Sequence, residues 1–130
     1  MKYIDVVAAI IKHEDKILAT QRGYGDLAGG WEFPGGKIEE GETPEEALVR
    51  EIHEELEAKI AIDSLVTVID YDYEDFHLHM HCYLCHIASG ELELHEHMAA
   101  RWLDAASLDS VAWLPADQAV LDAIKAKEIL

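Results

Sequence analysis

Apolar residues in the first third of the chain fall in short runs that are separated by turn-forming residues. Residues 3–11 and 16–21 are mainly apolar, and the polar residues 13–15 lie between them, a pattern typical of two neighbouring strands. The glycine-rich sequence GYGDLAGG at residues 23–30 predicts a loop. The first run contains Asp5 and is far shorter than the roughly 20 residues of a membrane helix, so we interpret it as a buried strand with no export signal.

The clearest helix signal begins at Thr43. This residue is a favourable N-cap, Pro44 suits the first helical position, and Glu46 completes a capping box with Thr43. The apolar positions that follow recur every four residues and predict one core-facing stripe, at Leu48, Ile52 and Leu56.

The other segments predict further strands and a second helix. Residues 31–33 predict a short strand, which Pro34, Gly35 and Gly36 are expected to end. Helical periodicity runs through residues 115–127. Residues that favour strands predominate in three segments, 59–70, 76–87 and 99–103. Because these elements do not alternate regularly, we predict an α+β fold with helices packed on a mixed sheet.

The composition indicates one folded, strongly acidic domain. A chain of 130 residues, half of them apolar, is long enough for a single domain, which we assign to residues 1–130. Ten basic and 27 acidic side chains give a net charge of −17, which disfavours binding to a nucleic-acid polymer or an anionic membrane. Two cysteines are too few for a disulfide scaffold, so we expect a cytoplasmic protein. The sequence does not distinguish a monomer from a homodimer.

The predicted first helix carries three glutamates, Glu51, Glu54 and Glu55, whose spacing places them on one face. Like charges at this spacing destabilise a helix by about 0.2–0.5 kcal/mol per pair. One interpretation is a solvated acidic face on an acidic protein. The other is a site for a divalent cation, which would convert the repulsion into attraction.

The residues around these glutamates match a known signature. Gly36 is followed after five residues by Glu42 and, after seven more, by the sequence REIHEE at residues 50–55. This is the pattern of the Nudix hydrolase superfamily. The longer sequence WEFPGGKIEEGETPEEALVREIHEEL resembles that of MutT-type nucleoside triphosphate pyrophosphohydrolases and their CTP pyrophosphohydrolase-like relatives. The resemblance implies a Nudix α/β/α sandwich with a loop–helix–loop catalytic signature.

The resemblance also implies an activity, a cofactor and a set of site residues. The activity is hydrolysis of a (deoxy)nucleoside triphosphate to monophosphate and pyrophosphate, with Mg²⁺ or Mn²⁺ as cofactor. The implied metal ligands are three side chains and one backbone carbonyl, those of Glu51, Glu54, Glu55 and Gly35. Glu51 is also a candidate to act as, or to orient, the general base. Arg50 is expected to pair with Glu42 and hold the loop against the helix.

Outside the signature, three residues are weaker candidates. Glu96 lies six residues before Trp102, as an acidic residue does in related enzymes, and is either a further metal ligand or base or an ordinary loop acid. Arg22 and Lys37 are the basic residues best placed to meet a triphosphate, with Arg22 preferred. Ordinary surface charge is the alternative for both.

Asp117, at the start of the predicted second helix, is the candidate for recognising the base. MutT-type enzymes that prefer oxidised guanine resemble this segment but carry asparagine here. An ionised carboxylate only accepts hydrogen bonds and suits cytosine N4, whereas a protonated one could recognise an oxidised purine. Cytosine-type or modified nucleotides are therefore favoured, and support of the helix N-terminus is the alternative. Aromatic side chains that could stack on the base, or simply pack in the core, are Phe33, Tyr71, Tyr73 and Phe76.

Glu57 departs from the family pattern, which has glycine at this position, and Ala58 replaces a larger aliphatic residue. Glycine would end the helix in a left-handed conformation that glutamate disfavours. The end of the helix is therefore left open.

The segment FHLHMHCYLCHI at residues 76–87 contains residue types that bind zinc. On a strand, however, Cys82 and Cys85 would face opposite sides, which argues against a structural zinc site. His77, His79 and His81 share a face and could line a substrate cleft or a half-exposed sheet surface.

Three other functions remain compatible with the sequence. A Nudix hydrolase of another nucleoside diphosphate derivative, such as a nucleotide sugar or a dinucleotide, would use the same signature. A non-catalytic, nucleotide-sensing Nudix module would be expected to lose signature acids, and all are present here. A zinc-stabilised interaction protein would be centred on the strand rich in cysteine and histidine.

Overall fold

A mixed β-sheet with one α-helix on each face is the framework of the chain. The computed structural model describes residues 2–93 and 97–130. Its elements are β1 (Lys2–His13), β2 (Lys16–Arg22), β3 (Trp31–Glu32), β4 (Gly35–Lys37), α1 (Pro44–Leu56), β5 (Lys59–Asp72), β6 (Phe76–Ser89), β7 (His97–Leu103), the 3₁₀ helix Leu108–Ser110, and α2 (Pro115–Ala126). The 3₁₀ helix was not predicted, and β7 begins two residues earlier than expected. Neither helix in these residues has the length and apolar character needed to cross a membrane.

The sheet is organised around β1 and β6, which run parallel. They pair from Lys2 opposite Phe76 to Ile11 opposite Cys85. The other edge of β1 pairs antiparallel with β4 and, at its end, with β2. The strand order is β3-β2-β1-β6-β5, and β7 pairs with β2. One parallel pair within an otherwise antiparallel sheet confirms the predicted α+β fold with a mixed sheet.

Alternate residues of β1 contribute to two cores, one on each face of the sheet. Val7 and Ile11 are buried in the cluster that includes α1. Ala8 and Ile10 are buried in the cluster that includes α2. The helices contribute Ala47, Leu48, Ile52 and Leu56 from α1 and Ala116, Val120, Leu121 and Ile124 from α2. This double packing fixes α1 and the start of α2 relative to the same central strand.

The start of α1 is as predicted, and the helix ends at Glu57, which is its C-cap residue. The Thr43 side chain accepts a hydrogen bond from the Glu46 N–H at 3.1 Å, and the Glu46 side chain accepts one from the Thr43 N–H at 2.9 Å. Glu57 adopts φ 55° and ψ 20°, and its N–H donates to the His53 carbonyl. A glutamate therefore takes the left-handed conformation that the family pattern gives to glycine, at a cost of about 1–2 kcal/mol.

The predicted short strand does end before Pro34, since β3 covers Trp31–Glu32, but the strand formed by Gly35 and Gly36 themselves was not predicted. These residues belong to β4, with Gly35 opposite Ala8 and Gly36 opposite Val7 of β1. A Cβ atom on Gly35 would lie 1.9 Å from the Val7 carbonyl oxygen, so this approach of the two backbones requires glycine. The local sequence favoured a turn, but the contact with β1 determines the conformation.

Cys82 and Cys85 lie on opposite faces of β6, as the alternation of a strand predicts. Both are fully buried and unpaired, Cys82 in the cluster beneath α2 and Cys85 in the cluster beneath α1. One zinc ion cannot bind both, which rules out the zinc site centred on these cysteines.

Candidate active site

A cleft of about 830 Å³ is lined by residues from β1, β4, both helices and the loop before β3. It contains α1 glutamates and the buried Asp117 of α2 in one space. Most of the predicted site residues line it: Arg22, Phe33, Gly35, Lys37, Glu51, Glu54, Glu55 and Asp117. Arg50 and Glu42 contact this group from the side of the loop.

Arg50 lies at the centre of an ion-pair cluster between the loop and α1. Its Nε and Nη2 donate to the two oxygens of Glu42 at 2.7 and 2.9 Å. Its Nη1 donates to Glu51 Oε1 at 2.9 Å and to Glu54 Oε2 at 3.3 Å. Its Nη2 also donates to the Lys37 carbonyl at 3.1 Å. The predicted pair with Glu42 is present, and the same guanidinium restrains two of the candidate metal ligands.

Glu51 is the least exposed acid in contact with Arg50, with 14% of its side chain accessible. Burial raises the pKa of its carboxyl, although the hydrogen bond from Arg50 opposes this shift. Gly36 lies directly against it, since a Cβ at residue 36 would be 2.3 Å from both Cδ and Oε2 of Glu51. A fixed carboxylate whose pKa is raised by burial is a stronger base than an exposed one, which suits Glu51 to accept a proton.

Glu54 and Glu55 complete the acidic face of α1. The side chain of Glu54 is 58% exposed, whereas Glu55 is 8% exposed. Together with Glu51 they present carboxylate oxygens to one cleft, which is the donor type that hard divalent cations bind. The electrostatic repulsion between Glu51 and Glu54 is reduced by Arg50, which bonds both.

Arg22 lines the cleft and already has an acidic partner. Its Nη2 lies 3.0 Å from Glu32 Oε1, and its Nε lies 3.2 Å from both oxygens of that carboxylate. Its guanidinium carbon is 5.3 Å from the centroid of the Tyr24 ring. Lys37 also lines the cleft and is exposed. Both predicted cations therefore reach the cleft, but the charge of Arg22 is largely balanced by Glu32.

Asp117 presents a buried carboxyl to the cleft. It is 5% exposed, and its Oδ1 accepts a hydrogen bond from the Phe33 backbone N–H at 2.9 Å. Burial raises the pKa of Asp117 to about 8, although the bond from Phe33 opposes the shift. At pH 7 the carboxyl is therefore mainly protonated and can both donate and accept a hydrogen bond.

The aromatic candidates divide between the cleft and the core. Tyr73 and Phe76 line the cleft and stack with centroids 5.0 Å apart. The Tyr73 hydroxyl accepts a hydrogen bond from the Ala116 N–H at 3.2 Å. Tyr71 contacts Tyr73 but is not among the described residues of the lining. Phe33 is 3% exposed and reaches the cleft only with the small part of its surface that remains accessible.

Sequence reasoning missed the apolar wall of the cleft. Leu78 and Met80 of β6 line it beside Ile4 and Val6 of β1. The signal was present, because these residues alternate with the charged or imidazole side chains of the same strands and so must face the other way. His77, His79 and His81 consequently lie on the opposite face of the sheet, and the alternative that they line the substrate cleft is wrong.

Glu96, the weaker candidate for a metal ligand, lies outside the described residues. Its assignment as a ligand or base therefore stays a prediction from the sequence.

The chain belongs to the NUDIX domain family. The family model matches residues 6–123, which include most of β1, the signature loop, α1 and most of α2. The chain is therefore a Nudix hydrolase, and the mixed sheet between two helices is the sandwich that the signature implied.

Two relatives show how this hydrolase compares with proteins of known activity. The CTP pyrophosphohydrolase of Escherichia coli (strain K12) is 39% identical over 127 residues, which cover 97% of this chain and 94% of that protein. The 8-oxo-dGTP diphosphatase of the same strain is 33% identical over 127 residues, which cover 96% and 98%.

Solved structures agree with the fold over nearly the whole chain. The solution structure of the E. coli ORF135 protein matches with a TM-score of 0.84 and 38% identity, covering 98% of this chain and 92% of that one. The crystal structure of a MutT NUDIX hydrolase from Burkholderia pseudomallei matches with a TM-score of 0.84 and 30% identity, covering 95% and 99%.

Proposed function

We propose that this Nudix hydrolase cleaves a (deoxy)nucleoside triphosphate to the monophosphate and pyrophosphate with the help of Mg²⁺ or Mn²⁺. The observation that carries the proposal is the cleft itself. It joins the three α1 glutamates, which suit a metal-bound triphosphate, to the buried Asp117 carboxyl, which suits a nucleobase. The relatives named as a CTP pyrophosphohydrolase and an 8-oxo-dGTP diphosphatase support this assignment.

The donor atoms fit a hard divalent cation. Glu51, Glu54 and Glu55 would hold it through carboxylate oxygens, with the Gly35 carbonyl as a backbone ligand. Gly36 supports this fit, because the missing side chain leaves room for the Glu51 carboxylate beside β4. The bound ion would neutralise charge on the phosphates and lower the pKa of the attacking water.

Within this site we assign distinct roles to Glu51 and Arg50. Glu51 accepts the proton of the water whose oxygen forms the new P–O bond, while the phosphoanhydride bond between the monophosphate and pyrophosphate parts of the substrate breaks. Arg50 positions Glu51 and Glu54 through Nη1 and holds the loop through Glu42. Lys37 and Arg22 approach the phosphate groups, and Arg22 would share its charge between them and Glu32.

A cytosine-type triphosphate is the favoured substrate, and the neutral Asp117 carboxyl is compatible with it. In its protonated form the carboxyl can accept a hydrogen bond from the exocyclic N4 amine and donate one to the neighbouring ring nitrogen. Tyr73, Phe76 and the apolar residues Leu78 and Met80 give the rest of the cleft an apolar, partly aromatic wall.

Oxidised purine triphosphates are the second candidate. The observation that favours them is the raised pKa of Asp117, because a neutral carboxyl has the donor and acceptor pair of the asparagine that purine-specific relatives carry. Hydrolysis of such modified nucleotides would serve to remove them from the nucleotide pool. The two buried, unpaired thiols agree with a cytoplasmic location.

A substrate panel with Mg²⁺ tests the proposal. Each natural triphosphate, a methylated cytosine triphosphate and an oxidised guanine triphosphate are supplied separately, together with a nucleotide sugar and a dinucleotide. Monophosphate and pyrophosphate are measured independently. Equal amounts of both products from the cytosine-type triphosphate are expected. Preferential cleavage of the nucleotide sugar or the dinucleotide would refute the assignment to triphosphates.

A further inference from the structure

A second cluster of metal-binding side chains lies on the face of the sheet opposite the apolar wall of the cleft. Asp5 of β1 is directly opposite His79 of β6 in the parallel pair, and His81 follows His79 on the same face. In the part of the chain that the structure describes, these three residues form the group whose candidate ligand atoms all lie within 4.8 Å of one another.

We propose that Asp5, His79 and His81 bind a divalent transition metal of the zinc type. Four-coordinate zinc with bonds of about 2.0–2.1 Å places its ligands about 3.4 Å apart. The observed separation of at most 4.8 Å therefore closes with small side-chain rotations and no movement of the strands. Two imidazoles and one carboxylate, with an open position for water, are a donor set that suits zinc.

His81 presents a nitrogen that lacks a hydrogen-bond partner. Its Nδ1 is buried from solvent and makes no hydrogen bond within the described residues. The Asp5 carboxylate is the acid beside it, with Oδ1 at 3.8 Å, which is too long for a hydrogen bond. A metal ion between the two would satisfy the buried nitrogen and bring the carboxylate into a bonded contact.

His79 is held in the manner typical of a metal-binding histidine. Its Nδ1 lies 2.7 Å from Asp70 Oδ1, and a carboxylate on one ring nitrogen fixes the tautomer in which the other nitrogen carries a lone pair. Asp70 is itself bonded to His77 Nε2 at 2.9 Å. The Tyr3 ring packs over both histidines, with centroids 4.9 Å from that of His77 and 6.0 Å from that of His79. The orientation of His79 is therefore set before a metal binds.

The cluster shares no residue with the acidic site of α1 and differs from it in donor type. Asp5, His79 and His81 are absent from the described lining of the cleft, to which the same strands contribute their alternate residues Val6 and Met80. Carboxylate-only sites favour Mg²⁺ and Mn²⁺, whereas imidazole ligands favour zinc, cobalt, nickel and copper. The site also remains accessible, since the Asp5 side chain is 49% exposed and that of His81 is 22% exposed.

Metal titration of the full chain, without any polyhistidine tag, tests the site. Excess Mg²⁺ is present throughout so that zinc does not compete for the glutamates. Zn²⁺ is titrated by calorimetry, and Co²⁺ is added in parallel so that its visible absorption reports four-coordinate binding. We expect one site per chain. In the His79→Gln/His81→Gln variant its dissociation constant should rise by more than about 100-fold, since two of the three ligands are lost.

His86→Gln is the matched control. His86 lies on the same strand but is bonded to Asp63 at 3.0 Å, outside the cluster, so this variant should bind Zn²⁺ like the parent. Zn²⁺ should also raise the thermal unfolding midpoint of the parent and of this control, but not that of the double variant. If the double variant fails to fold, Asp5→Asn, which preserves shape, replaces it and should weaken binding at least about tenfold.

Two results would overturn the proposed zinc site. If the parent binds no Zn²⁺ in excess Mg²⁺, the site does not exist. If the double variant, or Asp5→Asn in its place, binds Zn²⁺ as tightly as the parent, the ion is bound elsewhere and the proposal is wrong. Neither result affects the proposed hydrolysis, which depends on Glu51, Glu54 and Glu55 and not on these three residues.

Discussion

Replacing Gly36 by alanine should lower turnover by about 10²-fold and leave the fold intact. The added Cβ would lie 2.3 Å from Cδ and Oε2 of Glu51, whereas favourable contacts between heavy atoms are about 3.5–4.0 Å. The Glu51 carboxylate must therefore move by about 1 Å or more. A displacement of about 1 Å in a catalytic group costs about 10²-fold in rate, or about 2.7 kcal/mol in the activation free energy. The backbone of Gly36 does not require positive φ, so alanine itself introduces no dihedral strain there.

Two other glycines provide matched controls for this prediction. In Gly35→Ala the Cβ would meet the Val7 carbonyl oxygen at 1.9 Å, and because this contact involves backbone, the β1–β4 pairing and the stability should be lost. Gly41 lies in the loop between β4 and α1, has φ +85°, and has no atom within 4 Å of an added Cβ. Gly41→Ala should therefore lose about 1–2 kcal/mol of stability through dihedral strain and keep its turnover.

The assay pairs initial rates of monophosphate release in saturating Mg²⁺ with urea unfolding of each variant. Gly36→Ala should unfold like the parent and turn over about 100 times more slowly. Parent-like turnover in a folded Gly36→Ala protein would falsify the claim that β4 fixes the Glu51 carboxylate. An equal loss of turnover in Gly41→Ala would assign the effect to the loop as a whole.

Four further predictions address the metal ligands, the pH dependence, the helix end and the base. Glu54→Gln should lower turnover by at least about 10²-fold with the fold unchanged, whereas Glu40→Gln, at an exposed position, should leave turnover unchanged. Near-normal activity of Glu54→Gln at limiting Mg²⁺ would remove Glu54 from the ligand set. Hydrolysis should cease when a chelator removes divalent metal. Its rate should rise with pH, because Glu51 must be ionised to accept a proton and burial raises its pKa. Isolation of a covalent phospho-enzyme would contradict direct attack by water. Glu57→Gly should raise the free energy of unfolding by about 1 kcal/mol, measured in urea, since it relieves a left-handed glutamate at φ 55°, and an unchanged midpoint would show that other contacts hold that conformation. Asp117→Asn should shift the preference between bases by about 1–3 kcal/mol in kcat/KM without abolishing hydrolysis, and identical relative rates across the panel would exclude Asp117 from base recognition. The stability of the parent should fall as the pH rises from about 4 to 8, because Asp117 keeps its proton in the folded state up to a pKa of about 8, whereas the unfolded chain releases it near 3.8. Asp117→Asn should show a smaller fall.

Features set by local sequence were predicted correctly. The start of α1 follows from Thr43, Pro44 and Glu46, which act on each other within one turn. The ion pair of Arg50 with Glu42 followed from the family signature, whose spacing carries the geometry of the loop and helix. The opposite orientations of Cys82 and Cys85 followed from the two-residue repeat of a strand.

Features set by contacts between distant segments were not predictable in the same way. β4 exists because Gly35 can approach the backbone of β1, and nothing in the local glycine pattern distinguishes such an approach from a turn. Arg22 was expected to be available to phosphate, but it bonds Glu32, which the pairing of β2 with β3 brings beside it. The sequence contains both residues, but the register that joins them is a property of the sheet.

The hydrogen-bonding character of Asp117 depends on such contacts most directly. An aspartate at an exposed helix start is ionised at pH 7 and can only accept hydrogen bonds. Here the Leu114 N–H donates to the Trp31 carbonyl at 2.9 Å, which holds the start of α2 against β3 and places Asp117 beneath the Phe33 N–H. Burial at this junction excludes water from the carboxyl and raises its pKa to about 8, although the hydrogen bond from Phe33, a residue 84 positions away, opposes the rise. From the sequence alone Asp117 is expected only to accept hydrogen bonds, whereas in the folded cleft its protonated carboxyl can also donate one. Under the proposed function, the hydrogen bonds that residue 117 offers to the base consequently depend on how tightly α2 packs against β3 as well as on the identity of that residue.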